Sequence, residues 1–467
     1  MCDKETSKTK ELKEKLLLST KSGIKKLSVD EIAKADAWCE DYKVFLDNSK
    51  TERDAVEYSI ALLEKNGFVE FECGKKYNAG DKVYYNNRGK ALIAAVMGKK
   101  GVSEGTRLAI AHIDSPRIDL KPNPLYEAND LALFKTHYYG GIRKYQWLAM
   151  PLALHGVVSL VDGTNVKVNF GEDESEPVLC ISDLLPHLAY EQVTKPLGKA
   201  FDGEDLNVLV GSRPYSDEDE GELVKLNVMS ILNQKYGITE NDFLSAELCL
   251  VPTYKTRDVG FDRSLLGGYG HDDKCCAYPA IMAAIDTDMP EYTAITVLCD
   301  KEETGSDGNT GMQSDFLRYF INDLAKAEGV EGYHAISKSK CLSADVNAAF
   351  DPTYASAFEG RNSSYLNRGV VISKYTGHGG KGGTSDASAE YMGEIRAMLE
   401  KNGIIWQVGE LGRVDLGGGG TIAKYIANMD VDTVDLGVPV LSMHAPFEII
   451  SKIDVYMAYR AFFSFFE

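Results

Sequence analysis

Several short apolar runs in this chain stop abruptly at acids or histidines, and no other feature restricts its fold as tightly. "LAIAHID" closes on His112 and Asp114, "AITVLCDKEE" on Glu302 and Glu303, "CLSADV" on Asp345 and "VPVLSMH" on His444. Runs this short, rich in aliphatic and β-branched residues, read as buried strands. Helical patterns alternate with them: "CCAYPAIMAAIDTD", "DFLRYFINDLAKAEG" and "SAEYMGEIRAMLEKNGI". That alternation predicts an α/β fold, a sheet covered by helices on both faces. In open sheets of this kind the ligand crevice lies outside the carboxyl ends of the strands. Residues scattered from position 112 to position 444 can therefore meet. A fifth cluster, His271, Asp272 and Asp273 in "GGYGHDDKCCAY", opens a helix.

The texture is not uniform along the chain. Residues 5–66 read as helices, with Ser28 and Glu31 spaced as a capping box and Gly67 stopping "TERDAVEYSIALLEKNGF". "KVYYNN" and "ALIAAVMG" follow as strands. From Pro116 to about Lys255 the pattern becomes β-rich. "GVVSLVDGTNVKVNFG" reads as a hairpin with a DG turn, and the acidic run Ser216–Glu220 reads as an exposed loop. The expected organisation is an α/β domain in two parts, 1–115 and 256–467, interrupted by a smaller β-rich domain, 116–255.

Composition removes several classes of function. The chain has 70 acidic and 51 basic residues, a formal charge of −19, which argues against nucleic acid as a partner. No apolar run approaches the ~18 residues of a membrane span. The start, "MCDKETSKTKELKEK", has no apolar export segment, so a cytoplasmic location is expected. Nine dispersed cysteines without a CxxC spacing suit reduced thiols, not a zinc–thiolate knuckle.

The donor types at the strand ends carry the chemistry. Imidazole and carboxylate without thiolate suit zinc, manganese or cobalt. Two such ions bridged by a carboxylate sit about 3.5–4 Å apart and activate one water between them, and a free carboxylate beside that water can act as general base. Singly, each element has a plainer reading. Asp114 also suits a strand-end cap, Asp272 and Asp273 a helix dipole, Asp345 a turn, and His444 a core histidine. The joint pattern, with every cluster at the end of an element, favours a dinuclear site.

In this order, "AHIDSP", "HDDKCCAY", "DKEETGS", "LSADV" and "VLSMHAP" resemble the metal-binding motifs of the aspartyl aminopeptidase and vacuolar aminopeptidase I family, from about Asp30 to the C-terminus. The resemblance implies a zinc-exopeptidase catalytic domain and two Zn2+ per subunit, with Mn2+ or Co2+ as substitutes. It implies His112 and Asp345 on the first ion, Glu303 and His444 on the second, and Asp272 bridging both. Asp114 would orient His112, and Glu302 would be the general base that activates water for attack on the first peptide bond. "LLPHLAYEQ" is similar to a family segment whose histidine enters a neighbouring subunit's active site, which implies that role for His187; the residues alone favour a capping or surface histidine. Members form tetrahedral dodecamers built from dimers, so a homo-dodecamer acting on peptides is implied. The glycine-rich stretches "KYTGHGGKGGTSDAS" and "DLGGGGTIAKY" would border the substrate pocket, with Lys374, Lys381 or His378 available to an acidic N-terminal side chain. Two other readings stand beside this one. They are a related dizinc amidohydrolase acting on small N-acyl amino acids, and a catalytically silent self-assembling shell protein.

Overall fold

The computed structural model describes residues 8–18, 22–218 and 221–467. Asp219 and Glu220 of the acidic run lie outside the described residues. The main sheet has nine strands. At its centre Thr293–Cys299, Thr106–His112, Lys340–Ser343 and Asp432–Gly437 run parallel to one another. Antiparallel partners complete it: Ala91–Val96 pairs with Thr293–Cys299, and Val370–Ser373 with Asp432–Gly437. The sheet is therefore mixed. Its central strands are buried on both faces, which is why they read as unbroken apolar runs instead of alternating ones.

Helices cover both faces. On one, His271–Asp286 packs against the strands and the C-terminal helix Lys452–Phe466 packs over it. All residues of His271–Asp286 except Met282 and Asp286 are buried, and its alanines allow close approach to the sheet. The helix Val29–Asp47 joins this layer, started by Ser28 and Glu31 in the reciprocal capping box that the sequence signals. On the other face Phe316–Ala327 lays Phe316, Leu317, Phe320, Ile321 and Leu324 against Ile93, Leu108, Ile295 and Val297. Each such side chain contributes about 1.5–3 kcal/mol by leaving water, so both layers are held by burial and need no special contact.

A second, seven-stranded sheet is built from strands lying between Arg117 and Pro252, in the order Asn165–Phe170, Leu152–Ser159, Ala246–Pro252, Arg117–Ala128, Leu131–Tyr139, Val208–Gly211, Cys180–Ile181. All its pairings are antiparallel, and it has its own apolar core around Trp147 and Phe134.

One element differs from the sequence reading. The run "VPVLSMH" does not enter the main sheet. Pro439–Leu441 joins a small five-stranded sheet with Glu448–Ser451 and Asn347–Ala348, while the main-sheet strand is the preceding Asp432–Gly437. Thr433 and Asp435 inside that strand hid it from a hydrophobicity pattern, yet both are buried.

Candidate active site

At the carboxyl edge of the main sheet the central strands release their polar residues into one cavity of about 370 Å³. His112 ends its strand and is fully enclosed. Its Nδ1 lies 3.0 Å from the Asp114 carbonyl oxygen and 3.3 Å from Asp114 Oδ1. That leaves Nε2 facing the cluster, 3.1 Å from Asp272 Oδ1 and 3.9 Å from Asp345 Oδ1. The second oxygen of Asp272 lies 3.4 Å from His444 Nε2, which is 3.6 Å from Glu303 Oε1. His444 Nδ1 lies 3.0 Å from the Gly141 carbonyl, to which it donates. Asp272 thus stands between two imidazoles and offers one oxygen to each. Two donor groups share it: His112, Asp272 and Asp345, and Asp272, Glu303 and His444, each with its ligand atoms within 4.8 Å of one another.

Hydrogen bonds to backbone hold the turns that make this possible. The chain leaves Thr293–Cys299, turns at Lys301 with φ 67°, and forms a single helical turn, Glu302–Thr304. Asp114 pins that turn: Oδ1 accepts from the Glu302 N–H and Oδ2 from the Glu303 N–H, both at 3.1 Å. Tyr139 at the end of its second-sheet strand donates its hydroxyl to the same Asp114 at 2.8 Å. Glu448 does the matching work opposite. It accepts from the Asp272 N–H at 3.0 Å and from the His444 N–H at 2.7 Å. Gly140, at φ 73°, packs against Glu303, where a Cβ would meet the Glu303 Cβ at 3.2 Å. A side chain there would displace a ligand candidate.

The electrostatics are those of an acid-rich site. Burial pushes the Glu303 and Asp345 carboxyls well up, and neighbouring carboxylates push them further. Burial, with the charges of Asp114 and Asp272 adding to it, carries Glu302 up to about 7. Burial also pushes Asp272 up, but hydrogen bonds from His112 and His444 reverse this and hold it low. Burial pushes His444 down, while Asp272 and Glu303 carry it to about 11. Glu303 Oε1 is buried without a hydrogen-bond partner. No lysine or arginine lines the cavity among the described residues. Lys274 is buried nearby but gives its ammonium to Ser115.

A family model described as aminopeptidase I zinc metalloprotease (M18) matches residues 45–466. The chain belongs to the M18 aminopeptidase family. It is a zinc metalloaminopeptidase, a hydrolase. An M18 relative, a probable M18 family aminopeptidase 1 of Clostridium acetobutylicum, is 50% identical over 91% of this chain and 93% of its own length. The crystal structure of an M18 aminopeptidase from Thermotoga maritima superposes with a TM-score of 0.92 at 42% identity, covering 96% of this chain and 99% of that one. The M18 fold also extends to the S. cerevisiae mApe1 dodecamer, with a TM-score of 0.74 at 21% identity, covering 93% of this chain and 97% of that one. The donors here fit the zinc of the family: two imidazoles and three carboxylates, all oxygen and nitrogen, with a partnerless buried oxygen on Glu303.

The fold brings together seven of the residues that the sequence singles out: His112, Asp114, Asp272, Glu302, Glu303, Asp345 and His444. His187 is not among them. It is exposed, in a segment between strands of the second sheet. Lys374, Lys381 and His378 do not line the cavity either. Sequence reasoning missed Glu448, Tyr139, Gly140 and Gly141. Glu448 sits four residues past His444 with no periodicity to mark it. The Tyr-Gly-Gly step lies in a region that reads as a separate unit, so only the close approach of the two sheets shows its purpose.

Proposed function

We propose that this aminopeptidase hydrolyses the first peptide bond of peptides with a dinuclear zinc centre and Glu302 as general base. The observation that carries the reading is Asp272, whose two oxygens face two separate imidazoles while Glu302 stands beside them on a turn fixed by Asp114. His112, Asp272 and Asp345 would hold one zinc, and Asp272, Glu303 and His444 the other. Two zinc ions held there would polarise the scissile carbonyl and acidify a water. The protein supplies the rest. Asp114 and the Gly141 carbonyl fix the imidazole orientations, since a ring nitrogen occupied by one partner commits the other to its ligand. Glu302 takes the proton of the attacking water and returns it to the leaving amine. Burial lifts its carboxyl into the range that a shuttle near neutral pH needs, and bound cations oppose that lift.

The homo-oligomer belongs to the same proposal. Leu188, Tyr190, Val193 and Leu197 expose 66%, 82%, 74% and 51% of their surface in one short stretch beside the exposed His187. An apolar patch of this kind suits a subunit interface. A dodecamer built from dimers, with His187 completing a neighbour's site and stabilising the reacting carbonyl, accounts for it, and a yeast member of the fold has been solved as a dodecamer.

The test is a panel of aminoacyl-p-nitroanilides and N-acyl amino acids with wild type and Glu302→Gln. Cleavage of free-amine substrates only, with Glu302→Gln slowed by about 100- to 10,000-fold at unchanged metal content, supports the reading. Preferential cleavage of N-acyl amino acids, or full activity of Glu302→Gln, rejects it.

A further inference from the structure

The second sheet enters the cluster at the end of its strand Leu131–Tyr139, through three consecutive residues. Tyr139 donates its hydroxyl to Asp114 Oδ2 at 2.8 Å. Gly140 packs on Glu303, and the Gly141 carbonyl accepts from His444 Nδ1 at 3.0 Å. Of the three, only Tyr139 contributes a side chain.

That side chain is held from behind. Arg117 is the cross-strand partner of Tyr139, and its guanidinium lies 4.2 Å from the centre of the Tyr139 ring. The guanidinium is itself anchored, to Glu52 and to Asp119, each at 2.8 Å. Glu52 opens the helix Glu52–Lys65, whose Val56 and Leu63 pack into the core of the main sheet. The ring is therefore fixed relative to both sheets.

Asp114 is the point where this clamp meets the chemistry. Its Oδ1 accepts from the Glu302 N–H and faces His112 Nδ1, and its Oδ2 accepts from the Glu303 N–H and from the Tyr139 hydroxyl. Among the described residues, Tyr139 is the only side chain of the second sheet that hydrogen-bonds this carboxylate. A hydrogen bond to a buried charged oxygen is of the strong kind. Without it Asp114 can swing on its own side-chain torsions, and the two backbone N–H groups that it holds move with it. A small displacement of a general base is costly in rate, because proton transfer requires it within hydrogen-bond reach of the water.

We propose that Tyr139 is a positioning residue of the peptidase reaction: its hydroxyl locks Asp114, and through Asp114 the Glu302–Thr304 turn, so that the second sheet sets where the general base stands. The proposal rests on the reading of Glu302 as that base. It goes further by giving the second sheet a part in the chemical step of its own subunit, apart from any contact between subunits.

The experiment is a double-mutant cycle on the zinc-loaded enzyme, with the best substrate of the aminoacyl-p-nitroanilide panel. Tyr139→Phe lowers kcat by about 10- to 100-fold, the scale of a hydrogen bond to a charged group. KM stays within about threefold, and bound zinc per subunit, read by metal analysis, equals that of wild type. In the Glu302→Gln background the same substitution lowers kcat by no more than about twofold, because no base is left to place. Tyr138→Phe, at the adjacent and exposed position, leaves kcat within about twofold of wild type. An unchanged kcat in Tyr139→Phe, loss of its zinc, or an equal loss of rate in both backgrounds overturns the role of Tyr139, and so does an equal loss in Tyr138→Phe. If Glu302→Gln alone keeps full activity, the catalytic reading itself falls and the proposal falls with it.

Discussion

Where the helix Glu52–Lys65 meets the second sheet, Lys50, Asp54, His155 and Glu172 form a closed set. His155 sits 3.1 Å from Asp54 and 3.0 Å from Glu172, and Lys50 sits 2.7 Å from Glu172 while also donating to the Pro252 carbonyl. Every buried acid there has a cation. At the carboxyl edge of the main sheet, Asp272, Glu302, Glu303 and Asp345 are also enclosed, but their nearest protein cations are two histidines, and no lysine or arginine pairs with them among the described residues. Both sets are expensive to bury. The first is complete within the chain and joins the two sheets. The second has the donor types that suit the zinc of the family. A buried charged cluster is therefore structural or functional according to whether its charge closes.

Removing the hinge of the open cluster should have the largest effect. Asp272→Asn leaves two imidazoles without their shared acid, and aminopeptidase activity is expected to fall at least about 1000-fold, with bound zinc lost from both positions on metal analysis. Activity within about tenfold of wild type would erase the distinction between the clusters.

Breaking the closed cluster should instead cost stability. Lys50→Met takes a 2% exposed ammonium from Glu172 and from the Pro252 carbonyl, leaving Glu172 to His155 and Lys255. We expect a loss of about 1–3 kcal/mol in denaturant unfolding, with kcat of the folded fraction within about twofold of wild type at 25 °C. A variant as stable as wild type would show that the junction does not depend on this pair.

The junction also predicts a pH dependence. Burial pushes His155 down, but Asp54 and Glu172 more than offset this and raise it above its ordinary 6.5. Burial pushes Asp54 and Glu172 up, yet the hydrogen bond from His155 to each, with Lys50 aiding Glu172, brings both to about 2, below their ordinary 3.8 and 4.5. A raised histidine contributes stability that is full below about pH 6.5 and is lost as pH climbs through its folded value. Depressed acids contribute stability that is full above about pH 4.5 and is lost as pH falls towards about 2. The cluster is strongest between these limits. The difference in melting temperature between wild type and His155→Gln should be largest near pH 6 and shrink towards pH 9. A difference that grows on the alkaline side would mean that His155 is neutral in the fold.

The contrast also explains what was legible in the sequence. His112, Glu302 and Glu303 announce themselves because apolar strands lead straight into them, and parallel strands bring their carboxyl ends together. Asp435 was invisible because its strand, "DTVDLG", is broken by the polar residues Thr433 and Asp435, which the fold nevertheless buries. His444 joins the cluster from a different strand than its run suggested: it follows Pro439–Leu441, which lies in the small sheet, not the main one. Glu448 and Asp114 show a further limit. Their carboxylates act on backbone N–H groups of residues brought near by the fold, and no local spacing encodes a partner more than 180 positions away, as Glu302 is from Asp114. Most of the residues that converge at the cavity were thus readable, while the network that holds them in place was not.

The central claim is that the open cluster is closed by two zinc ions sharing Asp272. Metal content per subunit, measured on wild type and on Glu303→Gln after dialysis against dilute zinc, tests it most directly. The account predicts two zinc ions per subunit in wild type and close to one in Glu303→Gln, with His112, Asp272 and Asp345 still occupied. One zinc per subunit in wild type, or two retained by Glu303→Gln, would contradict it.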